Sequence, residues 1–203
     1  MNPGLMFRNL IDRAKRLLLQ PQTEWQAIDA ETMTVAGIYK GWVLPLAAIP
    51  ALAGLIGTIL FGLSFFRFYN LPRLAMSAVS SAVIGYLLAL AAVFVLARVI
   101  DALAPNFGGT RNGIQALKVA AFSMTATWLA GIFFIIPPLS GLAIVGLYGL
   151  YLMYLGLPML MRVPKNQALG YVVVTILAAV ALIAVVNFAG WIASWIFVPR
   201  RYW

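Results

Sequence analysis

Downstream of Glu31 this chain carries a single carboxylate, Asp101, while five long apolar runs take up most of its length. A soluble domain is roughly one-quarter charged and about half apolar. Here 9% of residues are charged and 64% are apolar. A helix needs about 20 apolar residues to cross the hydrocarbon core of a bilayer, and residues 42–66, 74–100, 117–136, 139–161 and 169–198 all meet that requirement. The remainder is a segment of residues 1–41 and short connections, too little for a second core. The expected fold is all-α: a polytopic membrane helical bundle of five transmembrane helices, preceded by cytosolic or interfacial N-terminal helices.

The net charge of +9 does not point to nucleic acid, because such binders gather their charge on one folded face. Lys and Arg sit instead at the ends of the apolar runs, the pattern that orients membrane proteins. With the N-terminus inside, the inner connections hold Arg8, Arg13, Lys15, Arg16, Lys40, Arg98, Arg111, Lys118, Arg162 and Lys165. The outer ones hold Arg67, Arg73, Arg200 and Arg201. This imbalance predicts a cytosolic N-terminus and an external C-terminus. The first 30 residues lack the apolar core and cleavage site of a signal peptide, so the first span is expected to direct insertion itself.

Residues 5–19 pattern as an amphipathic helix, with Phe7, Leu10, Ile11, Ala14, Leu17 and Leu18 on one face. Arg8, Asp12, Arg13, Lys15 and Arg16 fill the rest. Such a helix lies in the membrane interface with its cations near anionic headgroups, or packs on the inner end of the bundle. Pro21 ends it, and Thr23 with Gln26 reads as a capping box for a second short helix reaching Ala30, with Trp25 and Ile28 as its apolar side.

Within the spans, Pro45 and Pro50 bend the first helix, either as a cavity-lining break or as a static kink. Ser77, Ser81, Gly85 and Ala89 form a ridge of small residues suited to close packing, with Ser81 also a candidate pocket residue. Ile136–Pro137–Pro138–Leu139 predicts a tight hairpin between spans three and four. Gly141, Val145 and Gly149 form a second ridge beside Tyr148, Tyr151 and Tyr154. The last run exceeds the bilayer thickness and ends in an anchor of Trp191, Trp195, Tyr202, Trp203, Arg200 and Arg201. Asn187 within it is read as an interhelical hydrogen-bonding group.

The chemistry is conspicuous for what it excludes. There is no Cys and no His, which removes the common zinc sites and the Ser-His and Cys-His pairs. Asp101 has no acidic partner among the spans, so two-carboxylate mechanisms and acid-based proton relays are not expected. Gly108–Gly109–Thr110 lacks the lysine and spacing of a phosphate loop. No catalytic residue, cofactor or metal is assigned. Arg98, Asp101, Arg111 and Lys118 form the remaining charged group, with Arg98 and Asp101 three apart on a helix and able to pair. They serve as ordinary interfacial charges or as a headgroup or partner site.

Four stretches together resemble the Yip family (Ypt-interacting proteins), in particular its small bacterial inner-membrane members. They are Pro21, Trp25 and Ile28; Phe107–Gly108–Gly109–Thr110 followed by Ala116–Leu117–Lys118–Val119–Ala120–Ala121–Phe122–Ser123; the segment from Tyr148 to Pro158; and Gly170–Tyr171. Many relatives place a proline early in span three, whereas this chain reads Ser123–Met124–Thr125–Ala126, so their helix break is not expected here. The resemblance implies a five-span, non-enzymatic protein of the bacterial cytoplasmic membrane with a cytosolic N-terminus. Eukaryotic relatives act in vesicle traffic with small GTPases, and that partner is not carried over.

Two functions follow as expectations. The first is organisation of lipid or partner proteins, with Arg8, Arg13, Lys15, Arg16, Arg98, Asp101, Arg111 and Lys118 as candidate headgroup or partner contacts, and a homo-oligomer or a partner membrane protein as candidate assemblies. The alternative is a channel or carrier for a small solute, ion or lipid, with Ser77, Ser81, Tyr148, Tyr151 and Asn187 as candidate intramembrane contacts.

Overall fold

In the computed structural model, residues 3–65 and 71–197 are described, and no strand occurs among them. Helix α1 (Pro3–Leu19) and helix α2 (Pro21–Ala30) lead into a first span made of α3 (Val35–Ile38), a π-helical turn (Tyr39–Val43) and α4 (Leu44–Phe65). The second span is α5 (Leu71–Leu103), closed by a 3-10 turn (Ala104–Phe107). The third is α6 (Gly113–Ser123), α7 (Thr125–Ala130) and a 3-10 segment (Gly131–Ile135). The fourth is a 3-10 segment (Pro137–Leu147) and α8 (Tyr148–Leu160), and the fifth is α9 (Lys165–Phe197). Five helices among the described residues are long and apolar enough to cross a membrane. Each of these overlaps one of the five apolar runs, and the helices run on beyond the apolar residues at the ends that carry the N-terminal helices.

Local chemistry explains the irregularities. Pro45 has no N–H to offer the Gly41 carbonyl, and the helix widens just before it, with the Leu44 N–H bonding the Tyr39 carbonyl. Pro50 stays inside α4, where it packs against Gly131; a Cβ at Gly131 would come 2.5 Å from the Pro50 Cβ. The third span breaks at Met124, contrary to expectation and without a proline. There the Thr125 hydroxyl donates to the Phe122 carbonyl at 2.6 Å and accepts from Trp42 Nε1–H at 3.1 Å. A threonine bonding back to its own helix competes with the helical ladder. Ile136 is extended, at φ −116° and ψ 95°, and places the predicted Pro137–Pro138 hairpin between two 3-10 segments.

Three tyrosines tie spans together through main-chain carbonyls: Tyr39 to Leu90, Tyr86 to Leu44 and Tyr171 to Ile100. The residues that pack closely overlap the expected ridges at Gly149 but not along their length. Ser81 and Gly85 are exposed, and a Cβ on Gly85 or on Gly141 would meet nothing within 4 Å. The close approaches in span four are at Gly146, Gly149 and Gly156, whose added Cβ atoms would lie 3.0, 2.6 and 2.5 Å from Thr127, Ser123 and Trp25. Spacing of three to four suits several helix faces, and only tertiary contact selects one.

Residues 74–97 carry no charge and cover about 36 Å as a helix at ~1.5 Å per residue. That length fills the hydrocarbon core, so Arg98 marks its edge. The chain beyond that edge folds with α1 and α2 into a polar cap on the bundle. Arg67, Arg200, Arg201, Tyr202 and Trp203 lie outside the described residues, as do the side chains of Arg73 and Trp195.

Candidate functional site

The cap is built around α2. Pro21 occupies the first turn of this helix and Gln20 precedes it without a side-chain cap. The expected Thr23–Gln26 box is therefore not the start: proline's fixed φ favours the first helical turn, and the helix begins three residues earlier. Trp25 and Ile28 point inward and are fully buried. The Trp25 indole meets Phe122 edge-on, with ring centroids 6.4 Å apart, and lies against Gly156, where any side chain would collide with it.

Lys118 enters this core from α6. Its ammonium is buried and donates to the Ile28 and Glu31 carbonyls at 2.8 and 2.6 Å. The Ile28 carbonyl is one of the last of α2, left without a helical partner and at the negative end of the helix dipole, and Glu31 is the extended residue that caps the helix. A buried charge is tolerable when its donors are satisfied in this way. On the sequence Lys118 reads as an interfacial cation; burial behind α2 removes it from headgroups.

Ion pairs close the cap on both sides. The buried Glu24 carboxylate accepts from Arg13 Nε at 3.0 Å and from Arg16 Nε at 2.9 Å, and Arg13 also pairs with Glu31. The Arg13 guanidinium lies 5.1 Å above the Phe122 ring as well. Across the cap, Asp29 accepts from Arg162 at 2.8 Å and from the Gln115 amide at 3.0 Å. Arg162 adopts a left-handed φ of 55°, which turns the chain out of span four and aims its guanidinium at Asp29. Arg13 and Arg16 are thus held by protein carboxylates, with the Arg16 side chain still half-exposed. Three of the chain's five acids are spent on this assembly.

The Phe107–Thr110 stretch is structural. Gly108 takes a left-handed φ of 68°, and a Cβ on Gly109 would fall 2.8 Å from the Met161 carbonyl oxygen. This lets the Thr110 N–H bond that carbonyl at 3.0 Å and interlocks the two connections.

The other candidates disperse. Arg98 does not pair with Asp101; it lies 5.1 Å over the Phe94 ring, while Asp101 turns inward with a buried, unpartnered Oδ1. Arg8, Lys15 and Arg111 are exposed. Ser77 bonds its own Leu74 carbonyl, and Asn187 is exposed and bonds its own Ile183 carbonyl, so it is no interhelical group. Tyr148 donates to the Leu18 carbonyl at 2.9 Å and anchors α1, whereas Tyr151 is exposed. None of these five residues lines the space between spans two, three and five or the groove between α1 and the bundle.

Two spaces do exist. One, of about 150 Å³, lies between spans two, three and five and is lined chiefly by apolar groups such as Val93, Leu96, Met124 and Ala179. The other is a groove of about 490 Å³ between α1 and the bundle, bounded by Leu10, Ile11 and Leu18 of α1, Pro45 and Ile49 of α4, and Leu129 of α7, with Lys15 and Leu19 also on its wall. Pro45 lines this groove, while the helix runs on through both Pro45 and Pro50. Among the described residues, no three His, Cys, Asp or Glu side chains converge as a metal site.

A helical membrane protein of five spans, closed at one end by two short docked helices, is the class that this fold defines. Residues 15–196 match the Yip1 domain family, and the chain belongs to that family. Inner membrane protein YohC of Escherichia coli strain K12 is 31% identical over 159 residues, which cover 76% of this chain and 82% of YohC. The YohC of Escherichia coli O6:H1 matches to the same extent. No solved structure matches the chain.

Proposed function

We propose that this protein does no covalent chemistry and organises lipids or partner proteins around the capped end of its bundle. On this reading it resides in a bacterial cytoplasmic membrane, with the N-terminus in the cytosol and the C-terminus outside. One observation carries the reading: the cap divides the cations of α1 between two tasks. Arg13 and Arg16 fasten the helix to Glu24, while the exposed Arg8 and Lys15 make no ion pair among the described residues. Exposed cations at the hydrocarbon edge attract anionic headgroups, each by about 1 kcal/mol. Arg98 and Arg111 add to the same end. The relative YohC bears the name of an inner membrane protein, which supports the location.

The test is reconstitution into mixed phosphatidylglycerol and phosphatidylcholine bilayers, reading energy transfer from the native tryptophans to labelled lipid. Enrichment of phosphatidylglycerol around the protein, reduced when Arg8, Arg98 and Arg111 are all changed to Gln, is expected. An annulus of bulk composition refutes the lipid part. Flux across liposomes tests the channel or carrier alternative.

A further inference from the structure

The groove beneath α1 has a composition that a mere packing fault would not need. Its walls are almost wholly apolar, and the one charged side chain on them is Lys15. Both α1 residues next to Lys15 in the sequence are engaged inward, Ala14 by burial and Arg16 by Glu24. Lys15 itself is exposed, and no ion pair joins it to Asp12, the acid one turn away, among the described residues. The groove also has firm walls. The Tyr148 hydroxyl pins the Leu18 carbonyl, and the Arg13 and Arg16 ion pairs fix α1 from its other side. Beside it Pro45 follows the π-helical turn of the first span, and Leu129 of α7 completes the wall.

Volume and charge together define an occupant. About 490 Å³ falls within the ~300–1,000 Å³ of sites that enclose small ligands, and an elongated apolar slot at the hydrocarbon edge suits a fatty-acyl chain. A lone ammonium at the rim suits a phosphate, for which lysine acts as a point charge. We infer that the groove between α1, α4 and α7 binds one anionic glycerophospholipid of the adjoining leaflet, an acyl chain along Leu10, Ile11, Ile49 and Leu129 and the phosphate at Lys15. This deepens the lipid-organising reading, and rests on it, by naming a discrete site.

Native mass spectrometry of the full chain, released from detergent with phosphatidylglycerol or phosphatidylcholine of matched acyl chains, tests it. One tightly held phosphatidylglycerol per chain is expected, retained about fivefold better than phosphatidylcholine, the effect of one lysine at a headgroup. Lys15→Gln, an exposed change that preserves helix propensity, removes that preference and leaves phosphatidylcholine retention alone. Leu129→Trp fills the groove and expels both lipids; should that variant not fold, Ile11→Trp fills it from the exposed helix. An unchanged preference in Lys15→Gln, or undiminished retention in the filled variants, overturns the site. The Arg8/Arg98/Arg111→Gln variant keeps its single bound lipid while its annular enrichment falls, so the discrete site and the general reading fail separately.

Discussion

Replacing Lys118 by Met should loosen the cap without dissolving the bundle. The ammonium makes two short hydrogen bonds to the Ile28 and Glu31 carbonyls, and hydrogen bonds to a charged group are worth about 1.5–3 kcal/mol each. Position at a helix C-terminus adds up to ~2 kcal/mol. Against this stands the cost of holding an ammonium out of water, several kcal/mol in its own right. Methionine relieves that cost at similar volume but strands two carbonyls, each at about 1–3 kcal/mol. A net loss of about 3 kcal/mol in the docking of α2 is the central expectation. At 1.4 kcal/mol per tenfold, amide exchange in α2 then rises about 100-fold. Hydrogen–deuterium exchange in micelles reads this directly, with peptides from α9 as the internal control. Exchange over residues 21–31 that rises less than threefold refutes the assignment of Lys118 as the lock of the cap.

Glu24→Gln leaves Arg13 and Arg16 without the buried carboxylate they share; a loss of about 3 kcal/mol in the docking of α1 is expected, seen as faster proteolysis between α1 and α2. Gly156→Ala drives a methyl group into the Trp25 ring and should cost about 1–3 kcal/mol, whereas Gly141→Ala meets open space and should leave thermal unfolding in detergent unchanged. Asn187→Leu removes an amide that bonds only its own helix, so stability and oligomeric state should both hold; dissociation of an oligomer would show that the amide bridges chains.

The spans were readable because their signal is local: an uninterrupted apolar run is evident in any window of the sequence. The Pro137–Pro138 hairpin and the inward pair Trp25 and Ile28 were legible for the same reason. The site was not. Arg162 and Asp29 meet across 133 positions, and nothing in the neighbourhood of either residue announces the other. Lys118 at the start of an apolar run has the form of an orienting charge, and only the docking of α2 over it turns it into a helix cap. Gly141 and Gly156 are alike as letters, yet the one opens on empty space and the other on an indole. The Met124 break sits beside a threonine hydroxyl that bonds back to its own helix, with no proline to announce it in the sequence. One signal was available: three of the five acids fall within eight residues, from Glu24 to Glu31, in a chain otherwise nearly without them, which marks where cations would be held.

The account stands on five crossings of the membrane. The chain has no native cysteine, so single cysteines placed at Arg8, Arg111 and Ser140, and one added after Trp203, can be labelled with an impermeant maleimide in right-side-out and inverted vesicles. Positions 8 and 111 should react from the cytosolic side, and position 140 and the C-terminal cysteine from the other. Labelling of both termini from the same side would require an even number of crossings and would contradict the account.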